Sequence, residues 1–116
     1  MSSSDQATSP PEPRGELPTS VLERVIAQWR PEEIWLYGSR AHGTHRPDSD
    51  WDLLVIVPDN TPASQLDLGE AWAALSDLRP PVEAYPVLRS EFEEGQRHLG
   101  SLARIAVTEG RRIYAR

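Results

Sequence analysis

LYGSRAHGTHRPDSDWDL, residues 36–53, sets a glycine–serine pair ten residues ahead of an Asp-x-Asp. Just upstream, Ile34-Trp35-Leu36-Tyr37 is short, apolar and rich in β-formers, which predicts a strand running into Gly38. Ser39 to Ala41 predicts a helical turn, and Gly43 to Ser49 a polar loop with Pro47-Asp48 as its turn chemistry. Trp51 to Val57 predicts a second strand, stopped by Pro58. Its two faces, Asp52/Leu54/Ile56 and Trp51/Leu53/Val55/Val57, are apolar beyond the first carboxylates, the pattern of a central strand covered on both sides.

Working outward, Ser20 with Glu23 makes a capping-box pattern, and Val21, Leu22, Val25, Ile26 and Trp29 recur at helical spacing until Pro31. Ser64 with Asp67 opens a second capped helix, given one apolar stripe by Leu68, Ala71, Trp72, Leu75 and Leu78 and closed by Pro80-Pro81. Val82 to Val87 predicts a third strand, with Pro86 placing its far end at an edge or beyond the ladder. Ser90 and Glu93 repeat the capping box, and Leu99, Leu102, Ala103 and Ala106 follow at helical spacing. Gly110 stands where a helix C′ residue is expected, before a last short strand, Arg111 to Ala115. The order α-β-(turn)-β-α-β-α-α-β predicts a mixed α/β sheet flanked by helices.

Residues 1–18 hold four prolines and four serines but only Met1, Ala7 and Leu17 as hydrophobic residues, which predicts a disordered N-terminal tail and a folded domain over 19–116. No apolar run is long enough to span a membrane, no secretory signal is visible, and the absence of cysteine excludes disulfides and fits a cytoplasmic protein. Every one of the 12 cations is an arginine, and 18 acids leave a net charge of −6. That balance argues against strong direct nucleic-acid binding, which depends on neutralising phosphates, but not against nucleotides, whose charge a metal can offset.

Side chains alternate along a strand, so Asp50 and Asp52 point to one face with Cα atoms roughly 6.5 Å apart. Two carboxylates that close repel unless a cation lies between them, and Mg²⁺, with its preference for hard oxygen ligands and phosphate, is the natural candidate. In a two-metal site one ion activates the attacking hydroxyl and the other neutralises the leaving pyrophosphate. Glu83, on the third strand, is the best-placed third carboxylate, and reads either as a metal ligand or as a solvated strand residue. Gly38 lets the backbone approach a phosphate, amides of the following turn point at the anion, and Ser39 adds a hydroxyl donor. Arg40 could clamp a β- or γ-phosphate or point to solvent. Asp48 reads as a turn-former, and His42, His45 and His98 as solvated.

Gly38-Ser39, ten residues, then Asp50-Trp51-Asp52 resembles the GSx10DxD signature of the DNA polymerase β-like nucleotidyltransferases. GSRAHGTHRPDSDWDLLV is especially similar to their minimal nucleotidyltransferase branch, and the likeness extends over roughly residues 20–116. The resemblance implies a palm-like α+β fold and transfer of a nucleoside monophosphate, most simply AMP from ATP, to an acceptor hydroxyl with two Mg²⁺ ions. It implies Gly38, Ser39 and Arg40 at the phosphates, and Asp50, Asp52 and Glu83 as catalytic and metal-binding acids. Glu83 falls where the family commonly carries Asp, and His42 where Arg is frequent. Members of this branch often pair with a HEPN-domain toxin, which they neutralise as antitoxins, in some cases by adding AMP to a tyrosine. A chain this short has a catalytic palm but no second domain to hold an acceptor, so the resemblance implies a partner protein or a homo- or hetero-oligomer. The alternatives are a degenerate module that neutralises its partner by contact, and an enzyme acting on a small molecule.

Overall fold

The run Trp51-Asp-Leu-Leu-Val-Ile-Val is apolar on both faces beyond Asp52, and from Leu53 to Val57 every residue is buried. The computed structural model describes residues 17–116, so most of the predicted tail lies outside the described residues. In chain order the elements are α1 (Thr19–Trp29), β1 (Glu33–Tyr37), the one-turn helix α2 (Ser39–His42), β2 (Trp51–Val57), a 3-10 turn (Ala63–Leu66), α3 (Leu68–Leu75), β3 (Val82–Leu88), α4 (Arg89–Gly95), α5 (Leu102–Glu109) and β4 (Arg111–Ala115). The sheet runs β3-β2-β1-β4; β1 is antiparallel to β2 and β4, and β2 is parallel to β3. A parallel pair needs a crossover, which the 3-10 turn and α3 supply. The result is the mixed, helix-flanked α+β sheet that the sequence predicts.

Strand alternation sorts the core into two layers. Ile34, Leu36, Leu53, Val55, Val57, Val82 and Ala84 face α1 and α3, whose Val21, Val25, Trp29, Ala71 and Leu75 cover them. Leu54 and Ile56 face the other way, under Phe92 of α4 and Ala103 and Ala106 of α5. Asp52 has the parity of Leu54 and Ile56, so it lies on the second face, just past its apolar floor. No helix of the described residues is long and apolar enough to cross a membrane.

The helix starts differ from those predicted. α1 begins straight after Pro18, whose carbonyl accepts from the Val21 and Leu22 amides at 3.0 Å each, so Ser20 sits inside the first turn. Pro18 stands at the N-cap without a side-chain cap, so the helix starts one residue ahead of the predicted serine. Ser64 lies in the 3-10 turn, and Asp67 caps α3 by accepting from the Gly69 and Glu70 amides at 2.7 and 3.2 Å. At α4 the Ser90 amide donates to Asp59 Oδ1 at 2.9 Å, a partner remote in sequence. Ser101, not singled out in the sequence, caps α5 through the Arg104 amide, which leaves Leu99 outside the helix and exposed.

Gly110 joins α5 to β4, but with φ −104° it is not in the left-handed conformation expected of a C′ glycine. It is required by proximity: a Cβ there would overlap the Leu36 carbonyl oxygen of β1 and stand 2.8 Å from that of Ala106. Gly110→Ala is expected to destabilise the fold by about 2–3 kcal/mol in urea unfolding, since backbone on both sides cannot yield. A loss below about 0.5 kcal/mol, the scale of an ordinary surface change, would show that the junction relaxes freely.

Candidate active site

β1, β2 and β3 bring three polar residues into one row across the sheet. Tyr37 is the register partner of Asp52 on the antiparallel side, and Glu83 its partner on the parallel side. The predicted second and third acids are therefore cross-strand neighbours on the same face. Asp50 lies two residues before Asp52, ahead of β2, and is exposed. Burial, then the nearby charges of Glu83 and Asp50, push the Asp52 carboxyl up to about 6. Burial raises the Tyr37 phenol above its ordinary range, with Asp52, Tyr85 and Glu83 adding to the effect. No hydrogen bond from a described residue reaches the Asp52 carboxylate. Like charges held this close, without a donor, form a set that a divalent cation would relieve, and the all-oxygen donor set suits a hard ion. Among the described residues no three histidine or carboxylate side chains are gathered tightly enough to enclose a metal by themselves.

The glycine–serine turn closes on the same carboxylate. Gly38 has φ 78° and ψ −158°, and a Cβ on it would overlap Asp52 Oδ2 and lie 3.2 Å from Asp52 Cγ. Both the conformation and the space call for glycine. The Ala41 and His42 amides return to the Gly38 carbonyl at 3.0 and 3.2 Å. The amides of Ser39 and Arg40, ahead of them, have no acceptor within the turn and suit an anion. Gly38→Ala is expected to destabilise the protein by about 2 kcal/mol, because relief requires displacing Asp52. Thermal melts check this, and a variant as stable as its parent would refute the close packing.

Arg40 follows neither course expected of it, phosphate clamp or solvent. It is 7% exposed, and its Nε donates to the Ser49 carbonyl at 3.0 Å while its Nη2 donates to those of Pro47 and Arg46 at 3.0 and 3.5 Å. Its guanidinium stacks 3.9 Å from the centre of the Trp51 ring. Arg40 thus braces the loop that delivers Asp50. Ser49 tightens the same loop by accepting from the Arg46 amide at 2.8 Å, which leaves Asp48 exposed within the turn. His42 turns away to Glu109 at 3.5 Å, and His98 lies in an exposed pair with Glu94 at 3.1 Å. The sequence marked Tyr37 only as the last residue of an apolar strand, and nothing local singled it out for the site.

A mixed sheet that sets a glycine–serine turn and a neighbouring strand's acid against one carboxylate defines a nucleotidyltransferase palm. The nucleotidyltransferase domain family model matches residues 19–114, and the chain belongs to that family. Among solved structures, the fold is similar to a candidate nucleotidyltransferase from Sulfolobus solfataricus, with TM-score 0.52 and 19% identity over 84% of this chain and 76% of that one. It is similar also to a toxin–antitoxin complex solved with AMP-PNP, with TM-score 0.50 and 19% identity over 86% of this chain and 75% of that one. A mutant of the toxin–antitoxin pair MntA-HpeT gives TM-score 0.50 and 17% identity over the same shares. No curated protein sequence matches the chain significantly.

Proposed function

We propose that the protein is a Mg²⁺-dependent nucleotidyltransferase that moves AMP from ATP to a tyrosine hydroxyl of a HEPN toxin and so acts as its antitoxin. The observation that carries this is the row in which Asp52 meets Glu83 in register while the Gly38 turn closes on the same carboxylate. The toxin–antitoxin neighbours, one of them with an ATP analogue, support the partner and the nucleotide. Asp50 and Asp52, with Glu83 as third acid, would hold two Mg²⁺ ions, which when bound neutralise the triphosphate and lower the pKa of the attacking hydroxyl.

The chain's own residues do the rest. Amides of Ser39 and Arg40 hold phosphate oxygens, and the Arg40 brace keeps Asp50 beside Asp52. The acceptor oxygen bonds to the α-phosphorus as the α–β anhydride bond breaks and pyrophosphate leaves. The hydroxyl proton departs through Glu83, the exposed acid at the outer strand, to water.

The test is incubation of the protein with ATP, Mg²⁺ and the product of its neighbouring gene, followed by intact-mass analysis. Addition of one or more AMP units to the partner is expected, and Asp50→Asn with Asp52→Asn should abolish it. Undiminished modification by the double variant would sink the proposal. A second reading, neutralisation by contact alone, is favoured by the exposed Glu83 and the lack of a tight acid cluster. In that case the double variant would still protect, with no mass change on the partner.

A further inference from the structure

β3 is an edge strand, bonded to β2 on one side only. The Trp51 amide donates to the Pro81 carbonyl at 2.9 Å, which fixes the phase of the parallel ladder. Main-chain groups of Glu83, Tyr85 and Val87 then turn to β2, and those of Val82, Ala84, Pro86 and Leu88 turn outward. Pro86 falls on the side where a missing N–H removes no ladder bond. The Leu88 amide is taken by Glu91 Oε1 at 3.4 Å. The outward N–H and C=O groups of Val82 and Ala84 have no partner among the described residues, although each residue is only 8% exposed. Edge groups left without a partner in the sheet are a template for strand addition, and an added extended backbone would satisfy them.

Beside this edge α3 leaves two of the five residues of its predicted apolar stripe uncovered. Trp72 is 73% exposed and Leu68, one turn before it, 55% exposed. With Val82, Glu83 and Ala84 they line a groove of about 230 Å³. The opposite edge, β4, instead carries exposed Arg111 and Arg112, the kind of charge that discourages strand addition.

We infer that the acceptor protein docks an extended segment along the outer edge of β3, over Leu68 and Trp72, and delivers its tyrosine into the row Tyr37–Asp52–Glu83 from that side. The inference rests on the nucleotidyl transfer proposed above. An added strand lies two inter-strand spacings from β2, about 9.6 Å, and the next place in the row is on the face of Glu83 and Asp52. Serine and threonine are too short to reach back across Glu83 from there, and tyrosine is long enough. A docked helix would leave the Val82 and Ala84 groups unpaired. A second copy paired through β3 would bring two Glu83 carboxylates together on chains that each carry a net charge of −6.

The probe is a library of synthetic nonapeptides with a fixed central tyrosine and random flanks, incubated with the full chain, ATP and Mg²⁺ and read by mass for added AMP. Apolar residues at odd offsets from the tyrosine, which place them on the face of Leu68 and Trp72, are expected among modified peptides. Trp72→Gln should raise the KM for a selected peptide about tenfold or more while kcat and ATP binding hold. N-methylation of that peptide's backbone beside the tyrosine, which removes a donor and leaves every side chain, should weaken its use to a similar extent. Transfer that ignores both changes overturns the docking edge and leaves the nucleotidyl-transfer reading standing. No transfer to any peptide also overturns the inference. ATP·Mg²⁺ binding lost on Asp50→Asn with Asp52→Asn would then preserve the nucleotide site, and its absence from the unmodified protein would overturn that reading too.

Discussion

Asparagine at position 52 is expected to abolish transfer and yet make the metal-free protein more stable above pH 6. Loss of a main electrostatic stabiliser should lower the rate by about three orders of magnitude. Stability should move the other way, because the Asp52 carboxyl is raised from 3.8 to about 6 by burial and by the charges of Glu83 and Asp50. An unfolded chain releases that proton near its ordinary pKa of about 3.9, whereas the folded protein keeps it until about 6. Between those values the folded state binds more protons, so stability falls as pH rises, and above about 6 the full penalty remains. Screening at this half-exposed site reduces the penalty to about 1 kcal/mol. The melting temperature of Asp52→Asn should exceed that of the unmodified protein by about 4–8 °C at pH 8 in EDTA and match it at pH 4. Mg²⁺ should raise the melting temperature of the unmodified protein at pH 8 and do little for the variant. A variant less stable than its parent at pH 8 would refute the claim that the carboxylates repel.

Arg40→Ala should cost about 2–4 kcal/mol, the largest loss expected from any side chain near the site. It removes the donors to three loop carbonyls and uncovers one face of buried Trp51. Burial lowers the Arg40 pKa, opposed by Asp48 and Asp50, and the loop returns enough hydrogen bonds to keep the cation in place. Arg40→Lys should recover less than half of the loss, because an ammonium can neither fork between carbonyls nor stack flat on an indole. Urea unfolding measures the stability, and a Mg²⁺ titration of transfer shows whether Asp50 has come loose. If Arg40→Lys keeps full stability but loses ATP binding, Arg40 is a phosphate ligand and not a brace.

Where local pattern governed, the sequence was a good guide. The apolar run of Trp51 to Val57 foretold a strand covered on both faces, and Gly38-Ser39 foretold a helical turn straight after the first strand. Long-range partners were beyond its reach. Nothing near Ser90 reveals that its amide is met by Asp59, and nothing near Arg40 reveals that carbonyls of residues 46, 47 and 49 curl back to it. The Leu68/Trp72 stripe had the spacing of core, but periodicity reports which face is apolar, not whether a neighbour covers it. Glu83 was legible as the third acid on a neighbouring strand, but its exact register with Asp52 depends on the parallel crossover, which no local signal encodes.

The join between α5 and β4 is a single glycine seated against the Leu36 carbonyl, and this bears on how such a chain can grow longer over evolutionary time. One inserted residue there would advance β4 by one position and swap Ile113 and Tyr114 between the two sides of the sheet. Between Pro58 and Leu66 the chain has length to spare, and closing a longer loop adds only a slowly rising penalty. Descendants of this sequence can therefore acquire new segments beside β3, where they would remodel what the protein recognises, while the closing strand stays at fixed length.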